Sequence, residues 1–201
     1  TGGRIDGSLA NNGMLRGYGV IDGDLTNTAS DSDIAAVFGS GLTLQVTGQI
    51  RNSGTFGFSG RLEGDMTNEA AGDFALRGEV VGRLVNDGTL RGAGRVTGAL
   101  VNQGTTSIGE GRTLAVTLGT TNAAGGTLAL RGGTLSGDVT NLGRISGTGA
   151  VSGTVENGGR IETAGNLAID SLVNRAAGSV TVGSGHALRS DQIDNRGAIA
   201  D

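Results

Sequence analysis

Several residue types are missing from this chain or scarce in it, and each shortage excludes a class of protein. The 201 residues include no Cys, no Pro and no Trp, and all 15 basic residues are Arg. Without Cys there are no disulfide frameworks or thiolate metal sites, and without Pro there is no collagen helix. Five aromatic residues are too few to fill the core of a compact globule. No apolar run approaches the ~20 residues that a transmembrane helix needs.

Glycine, in contrast, is abundant. The chain has 41 Gly residues, almost three times the usual share of about 7%. A hydrophobic content of 36% and a mean hydropathy of -0.04 are too high for a simply disordered chain. The excess of glycine therefore needs a structural reason.

A short motif recurs along the whole chain and sets its period. Of the 13 Asn residues, eleven end a three-residue segment such as Leu84-Val-Asn86 or Val139-Thr-Asn141. The steps between these asparagines range from 16 to 25 residues, and 16 is the commonest step. Self-similarity at a fixed period is typical of solenoids. The motif asparagines are Asn11, Asn27, Asn52, Asn68, Asn86, Asn102, Asn122, Asn141, Asn157, Asn174 and Asn195.

Within each unit, a second period of two residues predicts extended chain. From Leu84 to Leu100, every second residue is a branched apolar residue, Asn or Gly, whereas the residues between them are mostly charged residues, Thr or Ala. The first set is predicted to face inward. Val96 should therefore be buried and Arg95 exposed.

One such unit could not fold alone. It carries about three inward apolar side chains, whose burial at ~25 cal/mol per Å² does not offset the cost of ordering its residues. Neighbouring units must therefore stack as parallel strands. The sequence predicts an all-β fold, a single-stranded parallel β-helix (β-solenoid) of about ten coils of ~16–20 residues. We expect residues 1–201 to be one continuous domain and a fragment of a longer repeat protein.

The repeated Asn and Gly residues suit the corners of such coils. Asn tolerates the left-handed backbone region, and stacked Asn amides can donate and accept along the axis, so a structural ladder is predicted rather than a ligand site. The inward glycines either narrow the cross-section or supply positive φ, and the sequence does not separate these roles. Insertions of even length, as in Glu69-Ala-Ala-Gly72, are expected to preserve the inward parity downstream.

Three longer departures from the repeat should be widened coils or protruding loops, and they are Thr28 to Val46, Thr105 to Leu118 and Ser184 to Asp191. The first contains Asp31 and Asp33. With Asp22 and Asp24 on the preceding coil, these carboxylates could hold a hard cation, although a polar turn is the commoner outcome.

No set of residues predicts catalysis, a cofactor or a metal. His186 is the only His, and the sequence places no acid or base partner near it. Asp24, Asp65 and Asp138 share one outward register but lie in coils far apart, so they cannot converge as glycosidase carboxylates do. Steps such as Gly92-Ala-Gly94 lack the following helix that would receive a phosphate.

Nucleic acid and ice are disfavoured as partners too. The net charge of -4 and the interspersed Arg residues give no basic stripe. The Arg residues of Leu-Arg-Gly steps, Arg91 among them, are expected to provide scattered solubilising charge. An ice-binding ladder of Thr26, Thr67 and Thr140 would be interrupted by Arg51 and by Glu156. The two-residue period excludes amphipathic membrane helices.

The phrase Asn-x-Gly-x-Leu-x-Gly-x-Gly-x-Val-x-Gly-x-Leu runs from Asn86 to Leu100, and Asn141 to Val155 follows it with Ile and Val in place of Leu. It resembles the repeats of large secreted bacterial exoproteins, the autotransporter and filamentous-haemagglutinin-like adhesins, over nearly the whole chain. That resemblance implies a right-handed β-helical passenger, export across a Gram-negative envelope, and a rod whose loops bind a host or neighbouring-cell surface protein or glycan.

Three hypotheses of function remain open. The first, which we expect, is an extracellular adhesin or stalk segment at the bacterial cell surface, with binding carried by an inserted loop such as Thr28 to Val46. The second is a self-polymerising scaffold similar to bactofilin filaments, in which rods join through open ends. The third is a polysaccharide-degrading β-helix enzyme. No nucleic-acid partner and no membrane insertion within this segment are expected.

Overall fold

Each coil has extended chain on each of three faces, as three separate strands in most coils and as one long strand in β22 (Arg144–Asn157) and in β23 (Arg160–Asn174). The computed structural model describes residues 2–29, the backbone of 36–38, and residues 41–201. In that part of the chain there are 26 strands and no helix, and the strands form one continuous parallel sheet. The predicted all-β solenoid of about ten coils is confirmed. At the usual spacing between paired strands, the rod is roughly 50 Å long.

Face 1 contains the motif asparagines at the ends of its strands. Its short strands pair in parallel along the rod and are continued by the C-terminal parts of three long strands. In chain order the members are β2 (Leu9–Asn11), β4 (Leu25–Asn27), β7 (Ile50–Asn52), β10 (Met66–Asn68), β13 (Leu84–Asn86), β16 (Leu100–Asn102), β19 (Thr120–Asn122), β21 (Val139–Asn141), β22 (Arg144–Asn157), β23 (Arg160–Asn174) and β25 (Leu188–Asn195).

Face 2 follows face 1 along the chain. It is formed by β5 (Ala36–Phe38), β8 (Thr55–Phe58), β11 (Asp73–Leu76), β14 (Thr89–Gly92), β17 (Thr105–Gly109), the first half of β20 (Thr127–Ser136), the first parts of β22 and β23, β24 (Ser179–Val182) and β26 (Ala198–Ala200).

Face 3 closes each coil. It is formed by β1 (Gly3–Asp6), β3 (Gly19–Asp22), β6 (Thr43–Val46), β9 (Arg61–Glu63), β12 (Glu79–Val81), β15 (Gly94–Val96), β18 (Thr113–Val116), the second half of β20, the middle parts of β22 and β23, and the start of β25.

The pairing register aligns equivalent residues of successive coils. Leu84 and Asn86 lie opposite Leu100 and Asn102 in the next coil. Side chains that point inward in one coil therefore meet inward side chains of the next. Val96 is fully buried and Arg95 is exposed, which confirms the assignment of inside and outside.

The core is a single narrow column of aliphatic side chains that runs along the axis. One section of this column contains three phenylalanines. The rings of Phe56 and Phe58 stack with centroids 6.3 Å apart, and the ring of Phe74 in the next coil lies 5.6 Å from that of Phe56. Few aromatic residues are needed, because each coil closes over only a few side chains.

Insertions change the corners and leave the strands in register. The turn at Glu69-Ala-Ala-Gly72 closes with a 2.7 Å hydrogen bond from the Gly72 amide to the Glu69 carbonyl. Phe74, Leu76 and Val80 beyond it remain fully buried, as predicted for an insertion of even length.

The longer departures are resolved differently from one another. Residues 105–118 are two strands, β17 and β18, joined by a tight turn in which Gly111 has a φ of 65°, so this coil is widened at a corner. Of residues 184–191, the first four form a short turn and connection, and the last four are the start of β25. Of Thr28 to Val46, the stretches 30–35 and 39–40 lie outside the described residues.

Candidate functional site: the asparagine column and its corners

The eleven motif asparagines form one hydrogen-bonded column inside the rod. The Nδ2 of each donates to the Oδ1 of the next, at 2.7 to 2.8 Å, from Asn11 to Asn195. Between Asn27 and Asn174 the column members are at most 1% exposed. Because all ten bonds run in the same direction, the amide dipoles add along the axis, and neighbouring bonds polarise one another.

Each amide also ties its own corner to the coil above. Asn86 Nδ2 lies 3.2 Å from the Gly88 carbonyl oxygen in the turn that follows it. The same nitrogen lies 2.8 Å from Asn102 Oδ1 and 3.1 Å from the Thr105 carbonyl oxygen of the next coil. One side chain thus bonds to backbone carbonyls of its own turn and of the next coil, and its own buried amide is satisfied, as buried polar groups require.

The expectation that these asparagines occupy left-handed corner positions is wrong. Among the described residues, every residue with positive φ is a glycine. The asparagines are the last residues of extended strands. In that conformation each amide points inward, and Nδ2 of one coil reaches Oδ1 of the next. The turn is made by the residues that follow.

The glycines have one of the two roles that the sequence left open, positive φ, and another that it did not raise, close contact between the backbones of successive coils. Gly92, at the corner between faces 2 and 3, has a φ of 132°, and a Cβ there would overlap the Leu76 carbonyl oxygen of the coil beneath. Gly143, after the asparagine corner, has no positive φ, but a Cβ would overlap the Gly126 carbonyl and lie 3.0 Å from Asn122 Nδ2. Both positions allow the backbone of one coil to lie directly on the backbone of another.

The acidic residues before face 1 cap the coil above them. Asp24, Asp65 and Asp138 each accept a hydrogen bond from a backbone amide of the following coil, at 2.8, 2.8 and 2.9 Å. As predicted, they lie in separate coils. The capping role was missed in the sequence, although their shared register immediately before the motif was a sufficient signal.

The possible cation site cannot be assembled from the described residues. Asp31 and Asp33 lie outside them. Of their expected partners, Asp22 binds Arg4 at 2.5 Å and the Thr47 hydroxyl at 2.9 Å, and Asp24 is the backbone cap described above. Within the part of the chain that is described, no three His, Cys, Asp or Glu side chains are grouped as metal ligands.

Charged side chains on the outside stack in unlike pairs. On face 3, Glu79 lies in register between Arg61 and Arg95, with Arg61 Nη1 2.5 Å from its carboxylate. Arg91 pairs with Asp73 one coil below, so its charge is ordered across coils and not merely scattered. The arginines of these pairs are well exposed to solvent, which screens the charges, so each pair contributes little to stability.

Glu162 lies between two arginines of adjacent coils. Arg144 Nη2 and Arg160 Nη1 lie 2.5 and 3.2 Å from its carboxylate oxygens. The hydrogen bonds from Arg144, followed by its charge and the contact with Arg160, lower the pKa of Glu162. His186 is exposed in the turn before β25, where its backbone amide donates to the Gly183 carbonyl.

One coil departs from the repeat in three ways at a single place. Thr120 occupies the inward position that Leu100 and Val139 occupy in the adjacent coils. Its hydroxyl is buried without a hydrogen-bond partner, the one such side chain among the described residues. Next to it, Gly119 has a φ of 82° and Leu118 is 72% exposed. These residues border a groove of about 380 Å³ on the edge of face 1.

Comparison with known protein families, curated proteins and solved structures finds no match to this chain. Searching the described residues for a helix of sufficient length and apolar character to span a bilayer also finds none. Of the features that the resemblance to exported adhesins implies, the structure shows the β-solenoid of about ten coils.

Proposed function

We propose that this chain is a rigid, non-catalytic rod from an extracellular bacterial protein, and that it presents adhesive surfaces to a host or neighbouring cell. The observation that carries the proposal is the continuous asparagine column. It couples every coil to the next through side-chain bonds in addition to the parallel strand pairing. A segment built in this way transmits force along its length and holds its surfaces at fixed positions.

The composition supports the same setting. Absence of Cys makes folding independent of the redox state of the compartment. The paired outer charges favour solubility, since they mix both signs on each face. The rod fold fits a structural scaffold role, and the experiments below test secretion, surface location and adhesion.

Location is tested first. In the source bacterium, an epitope-tagged copy of the whole gene is expressed, and intact cells are treated with protease. The proposal expects loss of the tag from intact cells while a cytoplasmic marker is preserved. A tag that becomes sensitive only after lysis would overturn the surface location.

Adhesion is tested with beads that carry the folded segment. Such beads should bind to cells more than beads that carry an unrelated acidic solenoid of similar length. Equal binding would refute the adhesive role. Sedimentation of the free protein at increasing concentration distinguishes adhesion from the alternative of a self-polymerising scaffold. Filaments that form from cytoplasmic protein as its concentration rises would favour self-polymerisation.

A further inference from the structure

The dipeptide Asn-Gly occurs twice in this chain, and the fold places its two copies in opposite environments. Asn157-Gly158 contains a member of the asparagine column, whereas in Asn12-Gly13 the column member is the preceding residue, Asn11. We propose that Asn12 is a site of spontaneous deamidation in the folded protein, and that the asparagine column protects Asn157 from the same reaction. This modification site is independent of the adhesive role given above.

The reaction needs only the dipeptide and water. The backbone nitrogen of the glycine loses its proton and attacks Cγ of the asparagine side chain, so that a new C–N bond closes a succinimide ring. The bond from Cγ to Nδ2 breaks, and the side-chain amide takes up a proton and leaves as ammonia. Water then opens the ring to aspartate or isoaspartate, which adds one negative charge, and nothing is oxidised or reduced. Glycine favours the attack because it has no Cβ to hinder the approach of its nitrogen.

Both reacting groups are accessible at Asn12. This residue lies in the bend after β2 and is exposed. Its side chain makes no hydrogen bond within the described part of the chain. The Gly13 amide has a long contact, 3.4 Å to Asn11 Oδ1, which exceeds the usual length of such a bond. Neither the side chain nor the glycine nitrogen is therefore held firmly away from the other.

The exposure of Asn12 is a property of its position in the coil. Asn12 directly follows a column asparagine, and Leu142 and Arg175 occupy the same position in later coils, where both are exposed. No residue that follows a column asparagine is buried in the described chain. This placement follows from alternation, because the column asparagine before it points inward.

At Asn157 the same two groups are held apart. Its side chain is fully buried, with Oδ1 2.7 Å from Asn141 Nδ2 and Nδ2 2.8 Å from Asn174 Oδ1. The Gly158 amide, which would be the nucleophile, donates a 2.8 Å bond to the Asn141 carbonyl. That bond disfavours loss of the proton, and the column holds Cγ inside the rod. Asn157 can therefore react only when its coil opens.

Peptide mapping by mass spectrometry tests the proposal on the whole folded chain after incubation at neutral pH. Cleavage after Arg places Asn12 in residues 5–16 and Asn157 in residues 145–160. Fragment spectra distinguish Asn12 from Asn11, and isomerisation of Asp6 in the first peptide does not change its mass. The rate at which each peptide gains the mass of deamidation is measured.

Asn12 should react at least about tenfold faster than Asn157 in the folded protein, a ratio that corresponds to ~1.4 kcal/mol of opening free energy. In urea the coils are unfolded, and the two rates should become similar. Equal rates in the folded protein overturn the proposal. So does an unreactive Asn12 in folded protein whose Asn157 reacts once urea is added.

A matched pair of variants tests the protection by the column. Asn141→Leu removes the donor to Asn157 Oδ1 and should speed deamidation of Asn157 about tenfold without changing the rate at Asn12. Asn166→Leu lies outside the column and should change neither rate. An unchanged rate at Asn157 in folded Asn141→Leu would refute protection by the column. If circular dichroism shows that Asn141→Leu is unfolded, wild type in increasing urea replaces it, and a rate at Asn157 that does not rise through the unfolding transition has the same meaning.

The products of the reaction should also differ in their effect on stability. Asn12→Asp should leave the Tm unchanged, because the side chain is exposed. Asn157→Asp should lower the Tm by several degrees, because it buries a carboxyl group within the column. Equal losses of Tm in the two variants would contradict the outward placement of Asn12 and overturn the proposal.

Discussion

Substitution of one column asparagine is the sharpest test of what holds the coils together, and Asn141→Leu is the cleanest case. Asn141 Nδ2 lies 2.7 Å from Asn157 Oδ1, 3.2 Å from the Arg160 carbonyl and 3.3 Å from the Gly143 carbonyl. Its Oδ1 accepts a 2.7 Å bond from Asn122. Leucine has a similar size but can make none of these bonds.

The expected loss of stability depends on whether the hydrogen-bond partners of Asn141 have other partners to bond to. Asn122 Nδ2 keeps two carbonyl acceptors, those of Gly126 and Arg144. Asn157 Oδ1 has no second hydrogen bond among those found in the described residues, and it is fully buried. An orphaned acceptor costs about 1–3 kcal/mol, and each lost bond about 1 kcal/mol net. We therefore expect Asn141→Leu to lower the free energy of unfolding by about 3 kcal/mol.

Urea unfolding followed by far-UV circular dichroism measures this loss, since the chain has no Trp. Asn166→Leu is the matched control. Asn166 is exposed and outside the column, and its Oδ1 accepts one bond, from the Ala187 amide. The control should lose less than about 1 kcal/mol. Similar losses in both variants would show that the column contributes no more than a surface amide, and the reasoning would be refuted.

Asn141→Asp adds a pH dependence whose sign can be worked out. The introduced carboxyl faces Asn157 Oδ1 and a backbone carbonyl, and burial and these acceptors raise its pKa in the folded state above the unfolded value of about 3.9. When protonated, the group can donate to Asn157 Oδ1. The variant should therefore be closest to wild type below the unfolded pKa and lose stability as pH rises toward the folded pKa. A deficit independent of pH would contradict this.

Three further substitutions test the core, a corner and the outer charges. Val96→Asp should abolish folding, because it buries an unpaired charge. Arg95→Asp should be tolerated, because Arg95 is exposed. Equal circular dichroism spectra of the two variants would make the assignment of inside and outside wrong. Gly92→Ala should destabilise the rod by at least about 2 kcal/mol, because Gly92 has a positive φ and an added Cβ would overlap the backbone of the coil below. The Tm and the urea midpoint measure this loss. Gly3→Ala is the control and should be neutral, because a Cβ at Gly3 meets open space. Glu162→Gln should reduce stability near neutral pH by a small amount that disappears in acid. The pKa of Glu162 is lowered in the folded state, so the wild-type protein loses this contribution as the pH falls through the folded pKa. A stability difference between the two proteins that persists in acid would refute the ion pairing.

The inside and outside of the rod could be predicted because they depend on alternation along the chain. In an extended strand, Val96 and Leu100 must face the same side, and Arg95 must face the other. The period of the motif then requires that like residues stack. Nothing beyond the order of residues is needed for either step.

The corners could not be predicted in the same way. Whether Gly92 is needed for its φ or for the space above Leu76 depends on how closely two coils lie, and residues 76 and 92 come together only in the folded rod. The same holds for the backbone capped by Asp138, which belongs to a residue one coil further along the chain. The left-handed corner expected for Asn was wrong because local preference was outweighed by the bond to the next amide.

The groove shows the same limit. Thr120 is visible in the sequence as the one Thr at the first position of the motif, but its meaning depends on what surrounds its hydroxyl. Only the three-dimensional arrangement reveals that the hydroxyl has no partner, that Leu118 is exposed beside it, and that carboxylates from two later coils border the same space.

The order of residues by itself thus determined the solenoid, its period and its buried face. These follow from the periodicities of two and about sixteen residues, and from the fact that one unit cannot bury enough apolar surface to fold alone. The tertiary structure alone decided which atoms satisfy the corners and where the surface departs from the repeat. Those contacts join residues about sixteen or more positions apart, at distances that depend on how each coil lies on its neighbour.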